Sequence, residues 1–270
     1  MSGQNPIKRE NMGFIFHELE KGARSATRAE LSETTGISQM TVGKIVDTLT
    51  EAGLTVQKKV RATSAGRSSL SCELADRPAL IYDLSGDMTI YTVDMLSNIR
   101  SEYPVSRENF ALTCAEAFFD AAKIGDLLGQ ALILPDDPQD DLTGLLQNRP
   151  DAVLTMTRAA ALACTGDERV GVFMTVSGKR VLSGAVTTDR GLLGGLFAKT
   201  DFQRFGTITA AIDAVNAILA PEVIRLWASE NAAPIQNLPS ENIELLTDPA
   251  LAVKGALKLL ISKKLDSLCV

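Results

Sequence analysis

Histidine is almost absent from this sequence, since His17 is the only one in 270 residues. The long region after it therefore lacks the residues for Ser-His-Asp or Cys-His catalysis and for a histidine-ligated metal site. Only four cysteines occur, and their wide spacing favours separate buried thiols over a disulfide framework or a zinc site. They are Cys72, Cys114, Cys164 and Cys269. We expect His17 itself to be a partly exposed packing residue or a group that faces a phosphate.

Long apolar runs are also lacking. No uninterrupted hydrophobic stretch approaches the length that spans a membrane. Residues 1–10 are polar, unlike a secretory signal peptide, and the next apolar residues are periodic rather than continuous. We therefore expect a cytoplasmic protein without membrane contact. With 45% apolar residues, the chain is long enough for two or three domains with a sizeable core.

Charge is distributed unevenly along the chain. The first 70 residues contain ten Lys and Arg against seven Asp and Glu, a net charge of +3. The remaining 200 contain 17 against 26, a net charge of −9. A locally basic end on an acidic chain is typical of a protein that contacts nucleic acid through that end alone.

The stretch from Thr27 to Lys58 has the pattern of a helix-turn-helix that continues into the first strand of a wing. Thr27 and Glu30 have the spacing of a capping box, Gly36 suits a tight turn, and Ser38 is a good N-cap for a second helix. That helix carries an apolar stripe with helical spacing, formed by Val42, Ile45, Val46 and Leu49. The alternative interpretation is a helical hairpin without a nucleic-acid role.

The flanking segments support the helix-turn-helix. Upstream, a second apolar stripe predicts the first helix of a three-helix module: Met12, Ile15, Phe16 and Leu19. Downstream, residues 54–68 alternate apolar and polar before a Gly/Ser-containing loop, which is typical of a two-stranded wing with a basic tip.

The second helix is expected to enter the major groove with its N-terminal turns. Gln39 is suited to pair with an adenine edge and Met40 to pack on a thymine methyl, while Thr41 and Lys44 suit phosphate contacts. Gly43 shares this face, where it either permits close approach to DNA or is simply tolerated. Single basic residues of the wing could equally be solvated. The residues predicted to contact DNA are Thr27, Arg28, Ser38, Gln39, Met40, Thr41, Lys44, Lys58, Lys59, Arg61 and Arg67.

The rest of the chain predicts an α/β body, with residues 1–75 as the DNA-binding domain and 76–270 as the second domain. Strands come first, and helices and strands then alternate, which favours a mixed sheet. The acidic stretch 135–141 lacks a calcium-loop spacing and is expected to be a solvated loop. The expected strands are 79–82, 90–94, 99–105, 170–176, 180–186, 223–226 and 243–246, and the expected helices are 107–123, 155–164, 208–219 and 250–265.

Short motifs along the whole chain resemble transcriptional regulators of the ROK (repressor, ORF, kinase) family. Besides the helix-turn-helix, they are Gly66-Arg67, the meander that opens at Asp83-Leu-Ser-Gly-Asp-Met-Thr, Arg158-Ala-Ala-Ala-Leu162, Ser183-Gly-Ala, Leu219-Ala-Pro-Glu-Val-Ile224 and Ala250-Leu-Ala-Val-Lys-Gly-Ala256. The resemblance implies a winged helix-turn-helix followed by a shortened sugar-kinase-like domain of the actin/hexokinase (RNase H-like) α/β type.

The same resemblance shows where kinase residues are missing. Asp87 stands where the first phosphate loop of the family has threonine, and would repel phosphates. Thr155 and Met156 replace the catalytic Asn-Asp pair, and methionine cannot act as a general base. A plain hairpin turn at 177–179 replaces the second phosphate loop, and residues 187–197 lack the His and Cys of the sugar-binding and zinc elements. We expect no catalytic residues, no metal and no cofactor.

The resemblance therefore implies a non-catalytic regulator that binds double-stranded operator DNA as a homodimer, with a sugar-like effector compatible with the inter-lobe cleft. One alternative is a ligand-free protein-interaction module. Another is a sugar kinase with unfamiliar groups, for which Asp83 is the only retained phosphate-handling candidate. Trp227, the single tryptophan, is expected in the core or at a dimer interface.

Overall fold

The computed structural model describes residues 6–21, 25–60, 69–85, 88–134, 153–166, 168–177, 180–188, 191–195, 207–228 and 242–269. These residues form an N-terminal module of helices around a small sheet, followed by a body with two five-stranded sheets. None of the helices in these ranges combines the length and the apolar character that crossing a bilayer requires.

The N-terminal module consists of α1, α2 and α3 with the antiparallel sheet β1-β3-β2. Its three helices and the two wing strands were predicted, whereas β1 was not, because two residues are too short to show an alternating pattern. This arrangement is compatible with a winged helix-turn-helix. The elements are α1 (Pro6–Lys21), β1 (Ala26–Thr27), α2 (Arg28–Thr35), α3 (Gln39–Glu51), β2 (Thr55–Val60) and β3 (Ser69–Leu74).

The first sheet of the body has the strand order β6-β5-β4-β7-β8. Its first three strands form the predicted antiparallel meander, and β7 and β8 continue the sheet in parallel with β4. Helix α4 connects β6 to β7 and packs on β4 and β5. The elements are β4 (Ala79–Asp83), β5 (Thr89–Val93), β6 (Ile99–Pro104), α4 (Phe110–Ile124), β7 (Gly129–Leu134) and β8 (Val153–Thr157).

The second sheet repeats the plan of the first, with the strand order β11-β10-β9-β12-β13. Again an antiparallel meander comes first, and two parallel strands then extend the sheet beside its first strand. Both sheets are mixed, as expected, but their division into two was not predicted: the chain begins a new sheet after β8. The elements are β9 (Val170–Ser177), β10 (Arg180–Thr188), β11 (Gly191–Gly195), α6 (Ile208–Leu219), β12 (Val223–Ala228) and β13 (Ile243–Leu246).

Helix α5 (Arg158–Ala163) lies on the path between the two sheets. The predicted helix at 155–164 is shorter than expected, since residues 155–157 belong to β8. In that segment β-branched threonines alternate with Met156, a pattern that suits a strand. Thr157 then caps α5, because its hydroxyl accepts a hydrogen bond from the Ala160 N–H at 3.2 Å.

The C-terminal helix α7 (Ala250–Ser267) packs against three parts of the molecule: β4 and β7 of the first sheet, α5, and α1 of the N-terminal module. Lys8 donates a hydrogen bond to the Leu268 carbonyl at 2.7 Å. Arg9 forms an ion pair with Asp266 and donates to the Ser262 hydroxyl at 2.9 Å. Buried side chains of the module and of the body consequently belong to one continuous hydrophobic core.

Gly255 is the point at which α7 approaches α5 most tightly. A Cβ placed on it would lie 1.7 Å from the Ala161 carbonyl oxygen, which is backbone and cannot move aside. The absence of a side chain at residue 255 therefore sets the distance between these two helices.

We predict that Gly255→Ala lowers the free energy of unfolding by about 2 kcal/mol or more, because overpacking outweighs the helix propensity that alanine adds. Urea denaturation measures the change. Gly13→Ala in α1 is the matched control, since its Cβ would meet only the flexible end of Arg9 at 3.2 Å. Equal effects of the two substitutions would contradict the packing that we describe.

Candidate functional site

Helix α2 begins with the predicted capping box. Thr27 donates its backbone N–H to the Glu30 carboxylate at 2.7 Å, and its hydroxyl accepts the Glu30 N–H at 3.2 Å. Hydrogen bonds from the Thr27 backbone and hydroxyl lower the pKa of Glu30 below its ordinary value. Thr27, predicted as a DNA-contacting residue, therefore has a defined structural role at this helix start.

The turn between α2 and α3 also has the predicted form. Gly36 has a φ of 71°, in the left-handed region that favours glycine, and its N–H bonds the Ser32 carbonyl at 3.0 Å. Ser38 then caps α3, since its hydroxyl accepts the Thr41 N–H at 3.3 Å and lies 2.9 Å from the Thr41 hydroxyl. These contacts fix the direction of the first turn of α3 relative to α2.

Helix α3 separates an apolar face from a polar one. Val42, Ile45, Val46 and Leu49 are buried as predicted. Gln39, Lys44 and Asp47 are exposed, and Met40 is 75% exposed, which is unusual for a large apolar side chain in a folded protein. The N-terminal turns of α3 thus present an amide, a thioether and an ammonium group on one accessible surface.

Gly43 does not belong to this surface. It is buried, and a Cβ on it would lie 3.2 Å from the Nη1 atom of Arg28. The expectation that Gly43 lies on the exposed face, open to close approach by DNA, is therefore wrong. Its lack of a side chain makes room for Arg28, whose position could not be inferred from the helical period of α3.

Arg28 connects three elements of the module. Its guanidinium pairs with Asp47 of α3 at 2.6 Å and contacts the Gln57 side-chain oxygen of β2 at 3.4 Å. Gln57 in turn donates to Asp47 at 3.2 Å. This network holds α2, α3 and β2 together, whereas a DNA contact by Arg28 stays a prediction.

The wing carries part of the predicted basic surface. Lys58 and Lys59 are exposed on β2, and Lys58 forms an ion pair with Glu73 on β3. Within the described residues, Lys59 has no acidic partner. Arg61 and Arg67 lie outside the described residues. His17 is exposed on α1, 3.5 Å from Glu20.

A second polar cluster lies in the body, where the first phosphate loop was expected. Asp83 ends β4 and is buried, with Ser85 beside it and Arg158 opposite. Arg158 donates to Asp83 Oδ2 at 2.5 Å and to the Ser85 hydroxyl at 2.6 Å, while the Ser85 N–H and hydroxyl donate to Asp83 Oδ1. The Arg158 guanidinium also stacks on Trp227, 4.6 Å from the ring centroid.

Of the other positions compared with kinase residues, the structure describes Thr155 and Met156. Met156 is buried in the core and Thr155 is exposed on β8. Asp87 and the turn residues 178–179 lie outside the described residues, as do the acidic stretch 135–141 and residues 189–190 and 196–197. Among the described side chains, no three His, Cys, Asp or Glu residues come together as a metal site. Cys72 and Cys269 are buried, and Cys114 and Cys164 are half-buried free thiols.

Comparison with solved structures identifies the architecture. The chain superimposes on the crystal structure of a ROK family transcriptional regulator, a homologue of the E. coli MLC protein, with a TM-score of 0.65. The two sequences are 14% identical, and the match covers 97% of this chain and 98% of the other. This chain has the fold of a ROK transcriptional regulator. No protein-family model and no curated protein matches the sequence.

Two further structures are similar to a smaller part of the chain. The polyphosphate/ATP-glucomannokinase of Arthrobacter sp. strain KM is 14% identical, with 70% of this chain and 100% of that one covered and a TM-score of 0.46. A ROK family protein of Streptococcus pneumoniae TIGR4, solved with sucrose, is 12% identical, with 69% and 98% covered and a TM-score of 0.44. At these scores neither bears on function.

We predict that Thr27→Ala lowers the free energy of unfolding by about 1 kcal/mol at neutral pH, because α2 loses its cap. Folding lowers the pKa of Glu30, so the ionised carboxylate contributes fully to stability at any pH above the ordinary pKa of a glutamate. This contribution is lost as the pH falls through the lowered pKa of the folded state. The difference between the variant and the wild type should therefore shrink in acid. Urea denaturation across pH measures it.

Thr27→Ser is the matched control, since it keeps the hydroxyl and should remain near the wild type throughout. A loss of stability in Thr27→Ala that is the same at acid and neutral pH would show that Glu30 does not depend on this capping box.

Proposed function

We propose that the chain is a non-catalytic DNA-binding transcriptional regulator of the ROK type. The observation that carries the proposal is the accessible surface of α3, where a well-capped helix exposes Gln39, Met40 and Lys44 while its opposite face is buried. The fold similarity along nearly the whole chain is consistent with it. In this proposal residues 1–75 bind operator DNA and residues 76–270 form the regulatory domain.

The N-terminal half of α3 lies in the major groove in this proposal. The Gln39 amide can donate to and accept from an adenine edge, and Met40 can cover a thymine methyl. Lys44, Thr41 and Ser38 lie at the start of the same helix, where phosphate contacts position the protein without reading sequence. Of these residues, Gln39 is the one whose chemistry specifies a base.

The wing supplies the electrostatic part of the interface. Lys59 is accessible to a phosphate without rearrangement, whereas Lys58 must first break its ion pair with Glu73. Arg61 and Arg67 complete the proposed basic surface at residues outside the described ranges. The net charge of −9 over residues 71–270 disfavours DNA contact by the body and so directs binding to the N-terminal module.

We propose that the regulator acts in the cytoplasm as a homodimer, since two-fold symmetry places two recognition helices one DNA turn apart on a palindromic operator. The regulatory domain either senses a sugar-like effector or acts as a ligand-free interaction module. A thermal-shift screen separates these two, because an effector raises the melting temperature by mass action.

We predict that Gln39→Ala weakens binding to the cognate operator by about 1–3 kcal/mol while leaving non-specific binding unchanged. The operator is first found by genome-wide DNA capture with the purified protein. Lys59→Ala should instead weaken binding to every sequence and reduce the slope of log K against log salt by about 0.9 for each protomer, or about 1.8 for the dimer. Fluorescence anisotropy over a salt series measures both variants.

Lys123→Ala is the matched control, because it removes an exposed lysine from α4, outside the N-terminal module, and should bind DNA as the wild type does. Unchanged operator discrimination in Gln39→Ala would show that α3 does not read the base edges in this register.

We also predict that the purified protein forms no ADP above background with Mg·ATP and a panel of hexoses. Asp83 is already paired with Arg158, and Met156 cannot accept a proton from a sugar hydroxyl. Coupled ADP detection measures the reaction, with a commercial hexokinase as the positive control. Sugar-dependent turnover that survives repurification would overturn the non-catalytic part of the proposal.

A further inference from the structure

Three elements from different parts of the body meet at the Arg158 guanidinium. Asp83 and Ser85 stand at the end of β4, the central strand of the first sheet. Arg158 is the first residue of α5, which follows the last strand of that sheet. Trp227 lies on β12 of the second sheet. One side chain therefore contacts both sheets at their junction.

Every contact in this cluster is made away from solvent. The exposed fractions of the Arg158 and Asp83 side chains are 8% and 4%, and Trp227 is 8% exposed. Asp83 Oδ2 accepts from Arg158, and Oδ1 accepts from the backbone and the hydroxyl of Ser85. Arg158 also reaches the Ser85 carbonyl at 3.4 Å. A buried pair of this kind is costly to break, because either partner alone leaves an uncompensated charge.

Arg225 provides an internal comparison. It also pairs with carboxylates, Glu168 and Glu244, and its guanidinium lies 5.4 Å from the Phe173 ring centroid. However, Phe173 and Glu244 lie on β9 and β13, the two strands that flank β12, so the contacts of Arg225 with these two residues stay within the second sheet. The two arginines use the same chemistry, but only Arg158 joins the two sheets.

We propose that Arg158 holds the two sheets of the body in one relative arrangement, acting as an internal partner of Asp83 and Ser85 at the end of β4. The guanidinium donates hydrogen bonds to the Asp83 carboxylate and the Ser85 hydroxyl, and it also covers the ring of Trp227.

The proposal has a consequence for ligands. The oxygens of Asp83 are engaged by Arg158 and Ser85, so a metal–phosphate group would have to displace the guanidinium before it could bind this carboxylate. An effector of the body must therefore either bind elsewhere or open the Arg158 cluster. This inference is independent of DNA binding by the N-terminal module.

The single tryptophan makes the contact measurable without labels. Arg158→Met should raise acrylamide quenching of Trp227 fluorescence by about twofold or more, because the ring loses its cation–π cover. Asp83→Asn should raise it as well, since the guanidinium loses its anchor. Arg225→Met is the matched control and should leave the quenching at the wild-type level. If Trp227 stays as protected in Arg158→Met as in the wild type, Arg158 does not hold this junction.

Single substitutions leave a buried charge and are expected to lower the melting temperature by about 6–15 °C. The double variant Asp83→Leu/Arg158→Met removes both charges at similar volume and should melt near the wild-type temperature. Spin labels introduced as non-canonical amino acids at exposed positions, Glu102 on β6 and Ile218 on α6, then report the distance between the two halves by electron paramagnetic resonance.

We expect a single narrow distance distribution in the wild type and in Arg225→Met, and a broadened one in the double variant. A double variant that folds and keeps the narrow wild-type distribution would show that packing alone holds the sheets, and the proposal would be wrong.

Discussion

The packing of α7 is the constraint on which the rest of the structure depends. One face of this helix covers the first sheet, Gly255 allows it to touch α5, and its C-terminal end holds α1 through Arg9 and Asp266. Because the last helix of the chain contacts the first, the N-terminal module and the body share one hydrophobic core. The orientation of α3 relative to the body is set by α1 and also by Arg77, which donates to the Ala52 carbonyl at the end of α3 and to the Leu127 carbonyl of the body.

The polar groups of the Arg158 cluster are buried and paired with each other, whereas those of α3 are exposed. In the buried Arg158 cluster, the hydrogen-bonding capacity of Asp83 is used internally by Arg158 and Ser85. On α3, capping and the buried stripe leave Gln39 and Lys44 accessible. A buried ion pair resists ligands because breaking it leaves an uncompensated buried charge. An exposed amide on a rigid helix can exchange water for a base edge at little cost.

Features that arise from local physics were predictable. The capping box at Thr27, the left-handed turn at Gly36 and the apolar stripe of α3 each depend on residues only a few positions apart, and the structure has all three. The strand β1 and the division of the body into two sheets were missed, because strand pairing joins distant residues. The burial of Gly43 beneath Arg28 was missed for the same reason, since its period on α3 places it with Gln39 and Lys44.

The contacts of Asp83 and Trp227 could not be predicted from the sequence. Their residue types alone indicated a retained acid and a buried aromatic ring, and Arg158 stood out only within an alanine-rich motif. The guanidinium contacts both residues because the chain folds into two similar sheets that bring Asp83, Arg158 and Trp227 together, although 75 residues separate Asp83 from Arg158. Periodicity, capping and charge bias are properties of neighbouring residues and can be read from the chain, whereas a contact between two sheets depends on how the whole chain packs.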